Sequence, residues 1–399
     1  MDGLKLLLVF IFIMFFLWCR KPLPPVMLGG SVILAVLYRT TPFDFIGMAW
    51  RATRSTTTIK LEVILIIIMI FEYFLRQEGY LKRMLNSLMK LIRNPRLIIA
   101  FLPAFIGLMP SMGGALFSAP LVGQAASGTS LTPEEKSYIN YYYRHIWEYC
   151  LPLYPGLLLT SSICNLPLQK LILALAPYTF IVAILGFPVL RKIPPQKEKG
   201  SILTGRWSLT KEVLLSISPV LFVVVMVLLL QIQVGFAVGL VLIILLLRHG
   251  YTLTKIYNLC KEAIQTKTLF LVWGIMLFKQ VILDTHAVNS LSYLLESIAV
   301  PQFIVLGMFG FIVGLLVGTV SVASGIIYPI LIAAGGQVDL ALIVLIFVAA
   351  FTGVMLTPMH LCLVLTSDYF KADLYKVLRM AVVPQMVLLA AAVIIYLFV

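Results

Sequence analysis

Glu148 lies three residues after His145 and four after Arg144, so on a continuous helix all three share one face. The run around them, 138 to 164, is apolar and aromatic, and ionisable side chains inside such a run are costly. Two chemistries suit the trio. Glu148 could carry a proton as a solute crosses a membrane, or Arg144 and Glu148 could form a structural pair. A metal pair from His145 and Glu148 is disfavoured, because two ligands are too few. A second imidazole, His360, follows Pro358 by two residues. It could bind substrate and titrate with transport, or sit buried against a carbonyl. Glu72 and Lys279 are further charges within apolar runs; they could pair between halves and are expected to be scaffold or, in the alternative, to share in coupling. Asp284, Glu78 and Asp368 fall near run ends, where water reaches them.

The elements that must hold these residues follow from composition. Of 399 residues, 61% are hydrophobic and 12% charged, and the mean hydropathy is +1.05. Apolar runs recur near the ~20 residues that a helix needs to cross a bilayer. Without sheet alternation the spans should be helices. The fold class is therefore an all-α polytopic membrane protein, with ten spans at 4–19, 24–38, 60–76, 138–164, 168–190, 213–231, 234–248, 268–285, 340–366 and 378–398. The first run ends in Trp18, Cys19, Arg20 and Lys21, without a small-residue cleavage site, and reads as a permanent span. The five cysteines, Cys19, Cys150, Cys164, Cys260 and Cys362, show no CxxC pairing and read as structural thiols.

Two stretches, 95–127 and 301–336, do not read as simple spans. Each opens with Pro and breaks at a small-residue tip: Pro110-Ser111-Met112-Gly113-Gly114 in one, Gly318 to Gly325 in the other. Two half-helices joined within the membrane fit this pattern; Gly-kinked full spans are the plainer alternative. An offset of 206 residues carries Pro95 onto Pro301, Glu78 onto Asp284, Pro152 onto Pro358 and Leu159-Thr160-Ser161 onto Leu365-Thr366-Ser367. The chain thus divides into a first repeat (1–192), a linker (193–211) and a second repeat (212–399). Each repeat has three spans, an amphipathic connector (81–93, then 287–300), a hairpin, a broken span and a last span.

Five crossings per repeat is odd, so the second repeat enters the membrane inverted, as in many secondary transporters. With both termini outside, Lys5, Arg39, Arg51, Arg54, Lys60 and Lys170 are external and Lys279 is within a span; the other 23 of the 30 Lys and Arg are cytoplasmic. The positive-inside rule prefers this orientation, with the first hairpin on the cytoplasmic side and the second on the outer side. The basic residues between Arg39 and Lys60 are an exception it does not explain. The net charge of +14 calls for anionic lipid headgroups, not nucleic acid.

A helix that stops inside the membrane presents free N–H groups, which attract anions, or free carbonyls, which attract cations. The candidate lining residues are Ser111, Gly113, Gly114 and Ser118 from the first hairpin, and Thr319, Ser321, Ser324 and Gly325 from the second. The broken spans add Tyr154, Pro155, Gly156, Thr160, Thr357, Pro358, His360 and Thr366, with Glu148 and His360 as coupling residues. For each hydroxyl, packing or back-bonding to its own helix is the competing role.

This architecture resembles the ion transporter superfamily, which includes permeases for gluconate, citrate, dicarboxylates and arsenite. Within it the likeness is greatest to an uncharacterised prokaryotic family of ten-span proteins carried as a domain of unknown function. The Ser-Asn-Thr signature of the dicarboxylate branch is absent from both tips, so its sodium and dicarboxylate specificity does not carry over. The resemblance implies a transporter in a prokaryotic inner membrane, a homodimer, with an elevator-like motion of the hairpin domain.

No HExxH motif or phosphate loop occurs, and Val322-Ala323-Ser324-Gly325 lacks the first Gly of a GxSG site, which argues against an intramembrane protease or ATP drive. The expectation is a secondary transporter of a small organic anion, proton-coupled or alternatively sodium-coupled, without a cofactor or metal. An ion channel and a membrane scaffold or assembly subunit are the competing classes.

Overall fold

Proline in the first turn, a polar cap before it and a run of apolar residues after it recur along the chain, and the result is an all-helical fold. The computed structural model describes residues 2–19, 21–92, 94–109, 114–193, 206–287, 300–333 and 339–399. The linker is outside the described residues apart from its ends, as is most of the second connector. So is the tip of the first hairpin, with Ser111 and Gly113.

The first half holds α1 (Asp2–Trp18), α2 (Leu23–Leu37), α3 (Pro42–Arg54), α4 (Thr56–Gln77), α5 (Tyr80–Leu91), α6 (Pro95–Gly107), α7 (Gly114–Ala125), α8 (Pro133–Arg144), a 3-10 turn (Ile146–Tyr149), α9 (Pro155–Ile163), α10 (Leu168–Leu185) and α11 (Phe187–Leu190). The second holds α12 (Arg206–Leu228), α13 (Val234–Arg248), α14 (Leu253–Ala263), α15 (Thr266–Asp284), α16 (Gln302–Val317), α17 (Val320–Ala333), α18 (Leu340–Met355), α19 (Leu361–Phe370) and α20 (Leu374–Phe398). Among the described residues, four helices are long and apolar enough to cross a membrane: 168–190, 207–228, 266–284 and 374–398. Shorter apolar helices accompany them.

The two stretches read as hairpins are helix pairs: α6 packs on α7, and α16 on α17. Gly318 joins the second pair at φ +73°, a left-handed conformation suited to Gly. The runs 138–164 and 340–366 are both broken, between α8 and α9 and between α18 and α19.

Two helices, α3 and α14, were not foreseen. Both are short and amphipathic, and they pack on α15 and α4 respectively. Helix α3 accounts for Arg51, one of the basic residues that the positive-inside rule left unexplained: Arg51 lies 2.9 Å from Asp284 at the end of α15. Asp284 also accepts from Gln280, and Glu78 accepts from the Tyr251 hydroxyl at 2.6 Å. These two acids are therefore tied to partners from other helices, not merely solvated.

The inner layer is α18, α8 and the second arms of the hairpins. Every α18 residue from Leu342 to Met355 is buried, as expected for a helix apolar all round. Helix α8 is buried from Ser137 to Arg144 although it carries Asn140 and four tyrosines. Outer faces of α12, α13 and α20 expose large apolar side chains such as Phe222, Phe236, Leu247, Val383 and Ile394, a surface suited to lipid.

Contacts between the halves are reciprocal. Helix α2 packs on α15 and α13 on α4; α9 packs on α17 and α19 on α7; α10 packs on α18 and α20 on α8. The closest backbone approaches match as well. A Cβ at Gly107 would stand 2.1 Å from the Arg144 carbonyl oxygen, and one at Gly314 would stand 1.9 Å from that of Ala350. Arg144 and Ala350 are 206 residues apart.

Candidate functional site: a junction of interrupted helices

The first break begins earlier than the prolines suggest. Helix α8 ends at Arg144, His145 is its C-cap and residues 146–149 form the 3-10 turn. The common helical face expected for Arg144, His145 and Glu148 therefore does not exist. A tighter turn brings His145 Nε2 within 3.8 Å of Glu148 Oε1 instead. Pro155 then starts α9 and Tyr154 caps it, its hydroxyl donating to the Gly107 carbonyl at 2.5 Å. In the second break α18 ends at Met355, and His360 is the N-cap of α19.

Three helix N-termini meet here. A Cβ on Gly156, at the start of α9, would stand 2.5 Å from Val320 Cγ1 and 3.6 Å from the Ser321 backbone nitrogen, at the start of α17. Gly318 lies 3.4 Å, measured from its Cβ position, from Met359 and from the Thr357 methyl, just before α19. The tip of the second hairpin thus sits between both breaks.

Hydrogen bonds join the halves at the same place. Thr160 donates to Ser324 at 3.0 Å and shares its hydroxyl with the Gly156 carbonyl at 2.8 Å. Asn140 Nδ2 reaches Thr366 Oγ1 at 3.0 Å and the Ala115 carbonyl at 3.4 Å, joining α8, α19 and α7. Asn140 Oδ1 is buried without a hydrogen-bond partner. His360 Nε2 and His145 Nε2 face each other at 3.0 Å. His145 Nδ1 is 2.6 Å from the Tyr141 carbonyl, and the Tyr141 hydroxyl donates to the Met355 carbonyl at 3.1 Å.

Some candidates stand apart. Gly325 packs against Ile275 of α15. Ser118 back-bonds to Gly114 and Ala115, the starting turn of its own helix. Thr357 caps Met359, and Thr319 and Pro358 are exposed. Glu72 and Lys279 form no pair. Lys279 Nζ lies 3.2 Å from the Ile163 carbonyl at the end of α9, and Arg76 and Arg144 are the charges that act on Glu72. A pocket of about 250 Å³ lies elsewhere, among Tyr80, Arg83, Glu212, Arg248 and His249.

Asn140, Tyr141 and Cys362 were missed as site residues. Asn140 had a signal, a lone amide inside an aromatic run. Cys362 had none, because His145, which completes its cluster with His360, comes from the other half: one donor atom each from His145, His360 and Cys362 fall within 4.8 Å of one another. Arg144 acts electrostatically on both Cys362 and Glu148.

The junction offers positive helix ends beside α9, α17 and α19, and carbonyl ends where α8 and α18 stop. Among curated proteins none matches the chain. The family model described as a protein of unknown function, DUF401, matches residues 4–399, and the chain belongs to that family.

Proposed function

We propose that this protein is a secondary transporter of a small solute, by preference an organic anion, coupled to a proton or sodium gradient. The observation that carries the reading is the meeting of the α9, α17 and α19 N-termini at Gly156, Val320 and Met359. Each N-terminus leaves N–H groups without intrahelical partners and carries a partial positive charge, so an anionic group is the natural occupant. Discontinuous helices from two halves, converging at mid-membrane depth, are the usual site of secondary transporters.

The reciprocal contacts and the matched Gly107 and Gly314 approaches support two inverted five-span repeats. In this reading α1 to α4 and α12 to α15 form the scaffold. The hairpins, broken spans and last spans move against it as an elevator, in a homodimer embedded in the inner membrane with both termini outside. Relationship to the ion transporter superfamily belongs to the same proposal. The buried junction is then one end-state or an intermediate of alternating access.

Liposome counterflow with the purified chain tests it. Saturable uptake of a labelled carboxylate, accelerated by the same carboxylate inside, is the expected result, and Thr160→Val or Asn140→Ala should raise the half-saturating concentration or slow exchange. Uptake that never saturates would mark a channel. No uptake across a panel of carboxylates, oxyanions, sugars and amines would sink the transporter reading in favour of a scaffold.

A further inference from the structure

Two imidazoles and a thiol gathered inside a membrane protein need an explanation that anion binding does not supply. His145 and His360 are buried and Cys362 is 9% exposed. One donor atom from each falls within 4.8 Å of the others. A tetrahedral Zn²⁺ site has bonds of about 2.0 to 2.3 Å, which sets neighbouring donors roughly 3.3 to 3.8 Å apart. The imidazole nitrogens, 3.0 Å apart, need to open by a few tenths of an ångström, and the sulfur, within 4.8 Å, to close by up to about 1.3 Å. Side-chain rotation covers both changes.

The surroundings are those of a metal ligand set. A ligating His ordinarily donates its second ring N–H to a carbonyl or carboxylate, which fixes the tautomer. His145 has that bond: Nδ1 lies on the Tyr141 carbonyl at 2.6 Å, so neutral His145 keeps a lone pair on Nε2. His360 must then supply the proton in the bond between the two rings, which leaves its own Nδ1 as an acceptor. That Nδ1 is buried without a hydrogen-bond partner, and the Val354 backbone is beside the ring. A metal ion resolves the mismatch, since His360 moves its proton from Nε2 to Nδ1, towards Val354, and frees Nε2 to bind. Helix α8 ends at Arg144, next to His145, and helix C-termini favour a cation, although the Tyr141 and Met355 carbonyls themselves already accept from His145 Nδ1 and the Tyr141 hydroxyl.

We propose that His145 Nε2, His360 Nε2 and Cys362 Sγ bind one divalent transition-metal ion of the Zn²⁺ and Co²⁺ class. Imidazole with thiolate suits these ions and not Mg²⁺ or Ca²⁺, which take oxygen ligands. On binding, the Cys362 thiol gives its proton to bulk water and the thiolate forms the metal–sulfur bond; nothing is oxidised. Three protein ligands leave a fourth position, within reach of Glu148, whose Oε1 is 3.8 Å from His145 Nε2. The Arg144 charge, which acts on both Cys362 and Glu148, favours the thiolate that the metal would take. The inference does not rest on transport: a metal could be cargo, coupling ion or structural clamp.

The full-length protein, purified without a polyhistidine tag and stripped with chelator, is titrated with Co²⁺ and then Zn²⁺. We expect one Co²⁺ per chain, with the visible bands of a tetrahedral ion and a near-ultraviolet sulfur-to-cobalt band, both displaced by Zn²⁺. About one proton should appear in weak buffer for each Zn²⁺ bound. Cys362→Ser should remove the sulfur band, His360→Gln should weaken Zn²⁺ binding more than about tenfold, and Cys260→Ser should change neither. Absence of saturable Co²⁺ or Zn²⁺ binding overturns the proposal, as does a sulfur-to-cobalt band that survives Cys362→Ser or a Zn²⁺ affinity that His360→Gln leaves unchanged. If Cys362→Ser does not purify as a single species, His360→Gln with the visible bands decides alone.

Discussion

The Nε2 atoms of His145 and His360 face each other at 3.0 Å across 215 residues of sequence. Each imidazole sits at a helix end inside the protein, His145 where α8 stops and His360 where α19 begins. The bond therefore ties one break to the other, and removing either ring leaves the other with a buried nitrogen unsatisfied.

That arrangement predicts strong coupling. Alone, His145→Ala and His360→Ala should each destabilise the metal-free protein by about 1 to 3 kcal/mol. The double variant should cost less than the sum, by at least about 0.5 kcal/mol. Denaturation in detergent with chelator present gives the cycle. Strict additivity would mean that the two rings do not interact in solution.

The positions of the helices were legible in the sequence, and the partners of the site residues largely were not. Apolar run length located α2, α4, α13 and α20 within a few residues, because burial in lipid or protein depends on local composition. Helices α3 and α14 were overlooked because an amphipathic helix of 13 or 11 residues has no long apolar run. The 206-residue offset aligned His360 with Tyr154. That equivalence does not say what His360 touches, and its partner is His145, where the first break opens. Cys362 and Lys279 show the same limit: their partners, His145 and Ile163, come from the other half, and spacing along one chain does not encode which helix ends meet.

Gly107 and Gly314 should each be intolerant of a methyl group. A Cβ at either would stand about 2 Å from a carbonyl oxygen of the neighbouring helix, a distance that only backbone displacement can relieve. Gly107→Ala and Gly314→Ala should each cost about 1 to 3 kcal/mol or more and lower the melting temperature by several degrees. Gly239→Ala, in α13 with nothing within 4 Å of its Cβ position, is the control and should be neutral or mildly stabilising. Equal behaviour of the three variants would remove the close-approach argument.

Lys279 should be required as a charged donor, not as a partner of Glu72. Its ammonium is 3.2 Å from the Ile163 carbonyl, at the end of α9 where carbonyls lack intrahelical donors. Lys279→Met should destabilise by about 1 to 3 kcal/mol, with Lys279→Arg recovering part of the loss. Glu72→Gln should leave the effect of Lys279→Met unchanged. A Glu72→Gln variant that rescued Lys279→Met would restore the inter-half ion pair.

Orientation is open to direct labelling. With both termini outside, Cys260 on α14 is cytoplasmic, and a cysteine replacing Arg54 at the end of α3 is external. A membrane-impermeant maleimide applied to intact cells should label the Arg54→Cys variant and miss Cys260; inverted vesicles should give the reverse. The opposite pattern would turn the protein over and, with it, the assignment of the two hairpins to their sides.

The elevator motion makes opposite demands on two cross-links at the same hairpin. Thr160 and Ser324 touch at 3.0 Å and join α9 to α17, both within the proposed moving unit. Gly325 and Ile275 join that same α17 to α15, part of the proposed scaffold, with the Gly325 Cβ position 2.6 to 2.8 Å from Ile275 side-chain carbons. Oxidising a Thr160→Cys, Ser324→Cys pair should therefore leave exchange in liposomes within about twofold of the reduced protein. Oxidising an Ile275→Cys, Gly325→Cys pair should reduce it more than about tenfold, reversibly with dithiothreitol, because an elevator requires the hairpin unit to slide past the scaffold helices. Exchange that survived the second cross-link would place α15 and α17 in one rigid body and exclude an elevator. Exchange that failed only with the first would instead make the second hairpin a gate moving against the broken span.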